Sequence, residues 1–148
     1  MGAKVKLTFR GFDVLLSEIQ AAGGEIKPAT ERALQSSANL ATNKIKSGAI
    51  ARNLGSDEII NPTVRWSGNR AMTEVGYELG AYDSRNPSQG YKALFIEYGT
   101  GKRKTKQGTN RGSVTANPFI RPAVTEGKKE LVKAQQIALE RVLKGLKK

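Results

Sequence analysis

The stretch of residues 91–122 constrains the fold most, because an apolar run, a glycine turn and a cationic segment follow one another in it. Residues 93–96 form the longest uninterrupted apolar run of the chain. Gly99 and Gly101 come soon after this run, and glycine allows backbone angles that other residues disfavour. The chain is therefore predicted to turn after residue 98 and to enter a long polar loop.

This loop carries positive charge and no acid. The cations within residues 99–115 are Lys102, Arg103, Lys104, Lys106 and Arg111. Val114 is the only sizeable apolar residue there, so we expect a flexible segment at about 99–115 in the free protein. Pro118 and Pro122 restrict the backbone and end the loop. Pro118 and Phe119 are predicted to be structural anchors that fix the end of the loop.

The beginning of the chain has the periods of a strand and then of a helix. Residues 4–10 alternate strictly between apolar and polar side chains, which predicts a strand with one buried face. Residues 12–19 change to a helical spacing and predict a short helix that ends at Gly23 and Gly24.

A second, longer helix is predicted for residues 28–47. Pro28 suits the first turn of a helix, where a missing N–H is tolerated. Gly48 and then Asn53, Gly55 and Ser56 are expected to mark the exit. The apolar stripe of this helix comprises Leu34, Ala38, Ala41 and Ile45. Its spacing is helical, and its small residues favour core packing, with a subunit contact as the alternative.

Residues 58–79 return to a period of two and predict an antiparallel hairpin with its turn at 67–70. Pro62 places the first strand at a sheet edge or makes its start irregular. Trp66 is the only tryptophan, and we expect a buried structural anchor rather than a ligand platform. Residues 80–90 are predicted to form a polar loop.

The C-terminal segment, from about residue 123 to 148, is predicted to be one amphipathic helix. The expected centre of its apolar face is Val124, Leu131, Ala138 and Val142, with Leu139 and Leu146 beside it. Residues 128–148 hold seven cations and two acids, a balance of 7 − 2 = +5. Because these cations are spread over the polar face, a solvated surface is favoured over nucleic-acid binding.

Together these elements predict a single α+β domain over residues 1–148. A small antiparallel sheet would pack against two or three helices, with the basic loop projecting and the C-terminal amphipathic helix closing the fold. A chain of 148 residues is long enough to bury one core.

Composition removes several classes of function. The chain has no Cys and no His, so disulfides, thiol nucleophiles and the commonest zinc ligands and general bases are missing. We therefore expect no metal site and no cofactor. No apolar run exceeds four residues, whereas a membrane-spanning helix needs about 20. We expect no membrane partner and no signal peptide.

Two features resemble catalytic motifs, and neither fits. Residues 99–102 are similar to the end of a phosphate-binding loop, but Ile96 and Arg103 stand where that motif needs Gly and Ser or Thr. Glu97 has no second carboxylate or serine nearby in the sequence. An enzyme is therefore not expected. Glu97 is predicted to hold backbone N–H groups or to pair with a basic residue of the same or a neighbouring subunit.

Two short motifs flank the basic loop, Glu97-Tyr98-Gly99-Thr100 before it and Pro118-Phe119-Ile120-Arg121-Pro122-Ala123 after it. With the amphipathic helix that follows, this order resembles the tail-completion (head-tail joining, neck) proteins of long-tailed bacteriophages. The resemblance covers most of the chain. One departure lies at residues 52–56, which read Arg-Asn-Leu-Gly-Ser where such proteins often carry a T-G-x-L turn.

The resemblance implies a virion structural protein that forms a ring, a hexamer, at the head-proximal end of the tail. It would join the tail tube protein to the head connector proteins, in the virion and, during assembly, in the host cytoplasm. The expected subunit interface is the turn at Glu97, Tyr98 and Gly99 with the five loop cations. On this basis Glu97→Lys should weaken ring formation more than folding.

The charge of the chain supports an alternative from another class. With 25 Lys and Arg against 13 Asp and Glu, the net charge is +12, which attracts polyanions at long range. The alternative is therefore a basic nucleic-acid-binding protein. A steep salt dependence of binding to random duplex DNA would favour it. A ring that surrounds the genome's exit path would also place some lysines close to DNA.

Overall fold

A computed structural model describes residues 3–80, 85, 87–101, 103–104, 108 and 110–147 of the chain. Its helices are α1 (Asp13–Ala21), α2 (Ile26–Ala51), α3 (Gln89–Tyr98), α4 (Ile120–Thr125) and α5 (Lys128–Leu146). Its strands are β1 (Lys4–Thr8), β2 (Arg65–Ser67), β3 (Arg70–Gly76), β4 (Arg103–Lys104) and β5 (Asn110–Gly112). The predicted α+β class, a small antiparallel sheet packed against helices, is confirmed.

The main sheet has three antiparallel strands in the order β1-β3-β2. Leu7 lies opposite Thr73, and Trp66 lies opposite Ala71. The predicted hairpin is therefore present, with β2 at an edge, but its first strand is only three residues long. Pro62 cannot donate to a strand ladder, and the regular ladder begins three residues after it.

Helix α2 is the centre of the molecule and packs against α5, the sheet, α1 and α4. The four residues of its predicted stripe are fully buried, which confirms core packing. The helix continues past Gly48 to Ala51, so its predicted end at about residue 47 is a few residues too early. The exit lies at Asn53, one of the residues predicted to mark it. The φ of 56° at Asn53 lets the N–H of Leu54 donate to the carbonyl of Ala49 at 2.9 Å, a Schellman ending.

The C-terminal segment is two helices, not one. Helix α4 starts at Ile120, and α5 starts after Gly127. A side chain at Gly127 would lie 2.8 Å from the carbonyl oxygen of Ala123, so the corner between the helices needs a glycine. The buried residues of α5 are Leu131, Gln135, Leu139 and Leu143. The predicted centre at Ala138 and Val142 is only half-buried.

The buried face of α5 differs from the predicted apolar face, and it includes a polar residue. Gln135 Nε2 donates a 3.0 Å hydrogen bond to Ser37 Oγ of α2, and both side chains are buried. Ser37 Oγ in turn donates to the carbonyl of Leu34 at 2.8 Å. Because this pair is hydrogen-bonded, it can lie between two helices without the cost of an unsatisfied polar group.

The apolar run at residues 93–96 belongs to helix α3. Ser88 caps this helix, since its hydroxyl accepts from the N–H of Tyr91 and also donates to the carbonyl of Leu79. Ala93 is fully buried against the main core, and Leu94 and Ile96 pack against it. Across the described part of the chain, no helix is long and apolar enough to cross a membrane.

Candidate functional site

The carboxylate of Glu97 joins the two ends of the basic segment. It sits in the last turn of α3, and its side chain is 1% exposed. Oε1 accepts from the backbone N–H groups of Phe119 at 2.8 Å and Ile120 at 2.7 Å. Oε2 accepts from Arg121 twice, from the backbone N–H at 3.1 Å and from Nε at 3.0 Å. Four donors therefore surround one buried carboxylate.

These bonds give Glu97 a defined ionisation state. Burial alone would raise the pKa of Glu97, but the backbone N–H groups of Ile120, Phe119 and Arg121 and the guanidinium of Arg121 lower it more, and the net pKa is below its usual value. Hydrogen bonds to the charged form favour that form. Glu97 is therefore ionised at neutral pH and stabilises the first turn of α4.

Arg52 holds the same segment from the other side. This residue follows α2, and its guanidinium donates to the carbonyls of Asn117 at 3.0 Å and Pro118 at 3.1 Å, and to Asn117 Oδ1 at 2.8 Å. It also donates to the carbonyl of Gly48 at 3.0 Å. Arg52 thus donates hydrogen bonds to the carbonyl groups of residues 117 and 118, whereas Glu97 accepts hydrogen bonds from the N–H groups of the three residues that follow.

Phe119 is buried between these two charges, with 6% of its surface exposed. Its ring makes an edge contact with Tyr77, with centroids 6.2 Å apart, and lies 5.0 Å from the Arg52 guanidinium. Gly48 of α2 provides the space, since an added Cβ there would lie 2.9 Å from the Cβ of Phe119. A helix glycine and an aromatic ring are therefore matched in shape.

The basic segment is closed at its base by direct bonds. The N–H of Thr100 donates to the carbonyl of Val114 at 2.9 Å, and the N–H of Val114 donates to Thr100 Oγ1 at 2.8 Å. Asn117 donates to the carbonyl of Ile96 at 2.7 Å. Gly99 has φ 76° and lies so close to Val114 that a Cβ would be 2.9 Å from its carbonyl oxygen.

Above this base, the predicted loop contains two short strands. The strands β4 and β5 pair antiparallel, with Arg103 opposite Gly112 and Lys104 opposite Asn110. The segment is thus a hairpin, which we call the basic hairpin (residues 101–113). Lys102 and Lys106 lie outside the described residues. For Arg103, Lys104 and Arg111 the structure describes the backbone strands only. The predicted flexibility of this segment stays a prediction.

Glu97 and Tyr98, two of the predicted interface residues, have defined places in the structure. Glu97 lies inside the chain with all its bonds made internally, so it is not the exposed acidic patch that was expected for a subunit contact. The expectation that Glu97→Lys acts mainly on assembly is therefore corrected, because the substitution disrupts a buried network. Tyr98 is half-buried, and the Arg121 guanidinium lies 4.5 Å from its ring centroid.

Trp66 lies away from this site, on β2. It is half-buried rather than fully buried, its Nε1 donates to Glu31 Oε1 at 2.7 Å, and Lys27 Nζ lies 5.0 Å from its ring. It anchors β2 to the N-terminal half of α2. Pro118 contributes its carbonyl to Arg52, as described above.

Arg52 was not identified from the sequence as part of this site. It lies in the segment 52–56 that departs from the expected turn motif, and its partner Asn117 is 65 residues later. No local spacing relates the two positions. An arginine just after a long helix is the only signal, and it is shared with many solvated surfaces.

The arrangement is a structural one. Within the described residues, no group of three or more Asp, Glu, Cys or His side chains could hold a metal ion. Each oxygen of the Glu97 carboxylate accepts two hydrogen bonds, which leaves it poorly suited to accept a substrate proton. What the site can do is hold the basic hairpin at a fixed place on a rigid core.

No match was found for this chain among models of known protein families, curated proteins or solved structures.

Proposed function

We propose that this chain is a virion structural protein that forms a ring, a hexamer, at the head-proximal end of a phage tail. In this role it completes the tail and joins the tail tube protein to the head connector proteins. The protein would be found in the tail or neck of the virion and, during assembly, in the host cytoplasm. It would need no cofactor and catalyse no reaction.

The observation that carries the proposal is the contact between Glu97 and the backbone of residues 119–121. The resemblance to tail-completion proteins rests on two motifs that flank a variable segment. The contact gives a physical reason for their joint occurrence, since the first motif supplies the carboxylate and the second supplies its N–H donors. This supports treating both halves as one functional unit.

The charge of the chain supports a contact of a particular kind. A protein of net charge +12 repels its own copies at long range, so a ring must rest on local complementary contacts. A cyclic contact joins two different patches of each subunit. The basic hairpin, with five cations in its sequence and a fixed base, is suited to be one of them.

The test compares two variants of equal charge. In the first, Lys102, Arg103, Lys104, Lys106 and Arg111 are all replaced by Ser. In the control, five exposed cations of the C-terminal segment are replaced, namely Lys129, Lys133, Arg141, Lys144 and Lys147. Each variant has a net charge of 12 − 5 = +7. Both are checked by circular dichroism before use.

The assay is negative-stain electron microscopy and light scattering of the protein, alone and with purified tails that lack it. We expect wild type and the control to form rings on tails, and the hairpin variant to be folded but unable to do so. Absence of rings with wild type, or equal activity of both variants, would contradict the proposal.

The same variants test the nucleic-acid alternative, which the charge of +12 favours. If the chain acts by binding DNA, log K should fall steeply with log salt for wild type. Both variants would then lose affinity to a similar degree, since nonspecific binding follows the number of cations. Such a result together with no ring on tails would favour the alternative.

A further inference from the structure

A groove runs along the free edge of β1, the edge of the main sheet opposite β2. Its strand wall is Lys6, Leu7 and Thr8, and its apolar wall on α4 and α5 includes Val124, Leu131 and Val132. The groove has a volume of about 430 Å³. We call it the β1 groove. It shares no residue with the site around Glu97.

The groove follows the backbone edge of the strand. Successive side chains of a strand point to opposite faces, so three consecutive residues line one groove only along the edge. One edge of β1 is bonded to β3. Since β1 is the first strand in the order β1-β3-β2, no strand formed by the described residues pairs with its other edge.

The register identifies which backbone groups face the groove. The N–H of Tyr77 donates to the carbonyl of Ala3 at 2.7 Å, so Ala3 points toward β3. Alternate residues point the same way in an antiparallel ladder, and the backbone groups of Val5 and Leu7 therefore also face β3. Those of Lys6 and Thr8 face the groove, and no backbone hydrogen bond joins either of them to another described residue across it.

The charge around the groove is of one sign. Lys6, Arg10 and Lys128 contribute to its lining, and none of the described residues that line it is Asp or Glu. Within the described part of the chain, no ion pair involves these three cations. By contrast, Lys4 on the same strand lies near both Glu74 and Glu78.

We propose that the β1 groove binds an extended acidic segment of a partner protein, which adds to the sheet as a fourth strand beside β1. Its backbone would pair with the free N–H and carbonyl groups of Lys6 and Thr8. Apolar side chains on one face would contact Val124, Leu131 and Val132. Acidic side chains on the other face would approach Lys6. Acidic side chains near the rim of the groove would approach Arg10 and Lys128. This combination of backbone pairing and alternating side-chain contacts is the known mode of strand addition.

The cations also argue against a second copy of this chain as the occupant. Lysine on an edge strand opposes pairing with an identical edge, because like charges would face each other. An acidic strand meets the opposite condition, since its charge is complementary to the rim. The inference rests on the geometry of β1 and is independent of the proposed role in tail assembly.

The experiment uses the full chain and an eight-residue blocked peptide in which Val and Glu alternate. Binding is measured by calorimetry, and the amide exchange of Lys6 and Thr8 is followed by NMR. We expect saturable binding, slower exchange at both amides, and no binding of the matching Val-Lys peptide. Two further peptides are N-methylated, one at every Val and the other at every Glu. One of them should bind and the other should not, because only one backbone edge pairs with β1.

Matched substitutions test the site on the protein. Lys6→Glu combined with Lys128→Glu should weaken binding by about tenfold or more, since attraction of the acidic segment becomes repulsion at two positions of the groove. Lys144→Glu, at an exposed position of α5 outside the groove, should change binding by less than about twofold. Val132→Asp should weaken binding, whereas Ile137→Asp should not. These two side chains are 42% and 38% exposed on the same helix, and only Val132 lines the groove.

Several results would overturn the inference. These are no binding of the Val-Glu peptide at millimolar concentration, equal binding of the Val-Lys peptide, or unchanged exchange at Lys6 and Thr8. Self-association of wild type that is abolished by Lys6→Glu would show that a second copy occupies the groove. None of these outcomes depends on whether the protein joins tails, so the two proposals can fail separately.

Discussion

Glu97 and Phe119 are 22 positions apart in the chain, yet Glu97 Oε1 accepts a 2.8 Å hydrogen bond from the backbone N–H of Phe119. This bond spans the whole basic hairpin. Because the same carboxylate also binds the next two residues, position 97 controls the path of the chain into α4. The predictions below begin with this contact.

Replacing Glu97 by Lys should unfold the site rather than only alter the surface. The substitution removes the acceptor of three backbone N–H groups and buries a cation beside Arg121, and breaking a buried charge pair typically costs about 3–5 kcal/mol. The free energy of unfolding is measured by urea denaturation. Glu126→Lys is the control, since Glu126 is exposed at the end of α4, and it should change stability by about 0.5 kcal/mol or less.

Stability should fall on acidification through the titration of Glu97. Its pKa is lower in the folded chain than its usual value, so its contribution is fully present above the unfolded pKa of about 4.3. The contribution is lost as the pH falls from there through the folded pKa. Denaturation curves between pH 7 and pH 3 should show this loss for wild type. Glu97→Gln should be less stable at pH 7 and lose less on acidification; parallel curves would contradict the assignment.

Gly48→Ala should destabilise the protein, although alanine favours a helix. The new Cβ would lie 2.9 Å from the Phe119 Cβ and 3.0 Å from its Cδ2, and such overpacking costs about 1–3 kcal/mol. Gly145→Ala is the matched control in α5, where nothing lies within 4 Å of the added Cβ. It should be neutral or stabilising by up to about 1 kcal/mol. Thermal unfolding of both variants measures the difference. A neutral or stabilising effect of Gly48→Ala would mean that Gly48 has free space.

Phe119→Ala should lower the melting temperature strongly. The ring is 6% exposed and contacts Tyr77 and Gly48, and truncation of a buried Phe costs about 3–5 kcal/mol. Val14→Ala is the control, because Val14 is 75% exposed and should have little effect. A thermal midpoint equal to that of wild type would place the ring at the surface and make it available for a subunit contact.

Tyr77 should ionise at unusually high pH. Burial, assisted by the negative charge of Glu58, raises the pKa of Tyr77 to about 12, and its hydroxyl donates to the carbonyl of Gly55 at 2.8 Å. Because the unfolded tyrosine ionises near pH 10, the stability contributed by neutral Tyr77 is lost as the pH rises from about 10 to 12. Absorbance titration at alkaline pH should show a tyrosine that ionises near pH 12, and Tyr77→Phe should remove this step.

The elements with a clear period were predictable from the sequence. The alternation at residues 4–10 gave β1, and the small-residue stripe gave the buried face of α2, because each pattern depends on neighbours within a few positions. Pro62 correctly indicated an edge strand with an irregular start, since a missing N–H is a local property.

The wrong predictions about helix ends and burial concern residues whose roles depend on tertiary contacts. Gly48 would end a helix on local grounds, but its contact with Phe119 makes it an interior helix position. Gln135 would be assigned to the surface, but its bond to Ser37, 98 positions away, places it in the core. The break at Gly127 is a different case, because Ala123, which it approaches, is only four positions away and the close contact arises from the corner between the two helices.

Some residues of the candidate site were predictable, namely Glu97, Pro118 and Phe119, but Arg52 and the geometry of the site were not. The sequence allows two roles for Glu97. In the structure, its carboxylate accepts hydrogen bonds from backbone N–H groups and from the Arg121 guanidinium of its own chain. The sequence could not show which N–H groups these are, or that Arg52 binds the adjacent carbonyls, because 65 residues separate Arg52 from Asn117.

The closed base of the basic hairpin has a consequence for how this chain can change. Hydrogen bonds between Thr100 and Val114 and between Ile96 and Asn117 close the base of the basic hairpin. A change in the length of the chain between Thr100 and Val114 therefore need not disturb the core. Lengthening a surface loop is inexpensive, at about 0.6 kcal/mol for each doubling. A peptide tag or an additional binding sequence inserted in the chain between Lys104 and Asn110 could therefore be accepted without refolding the rest of the molecule.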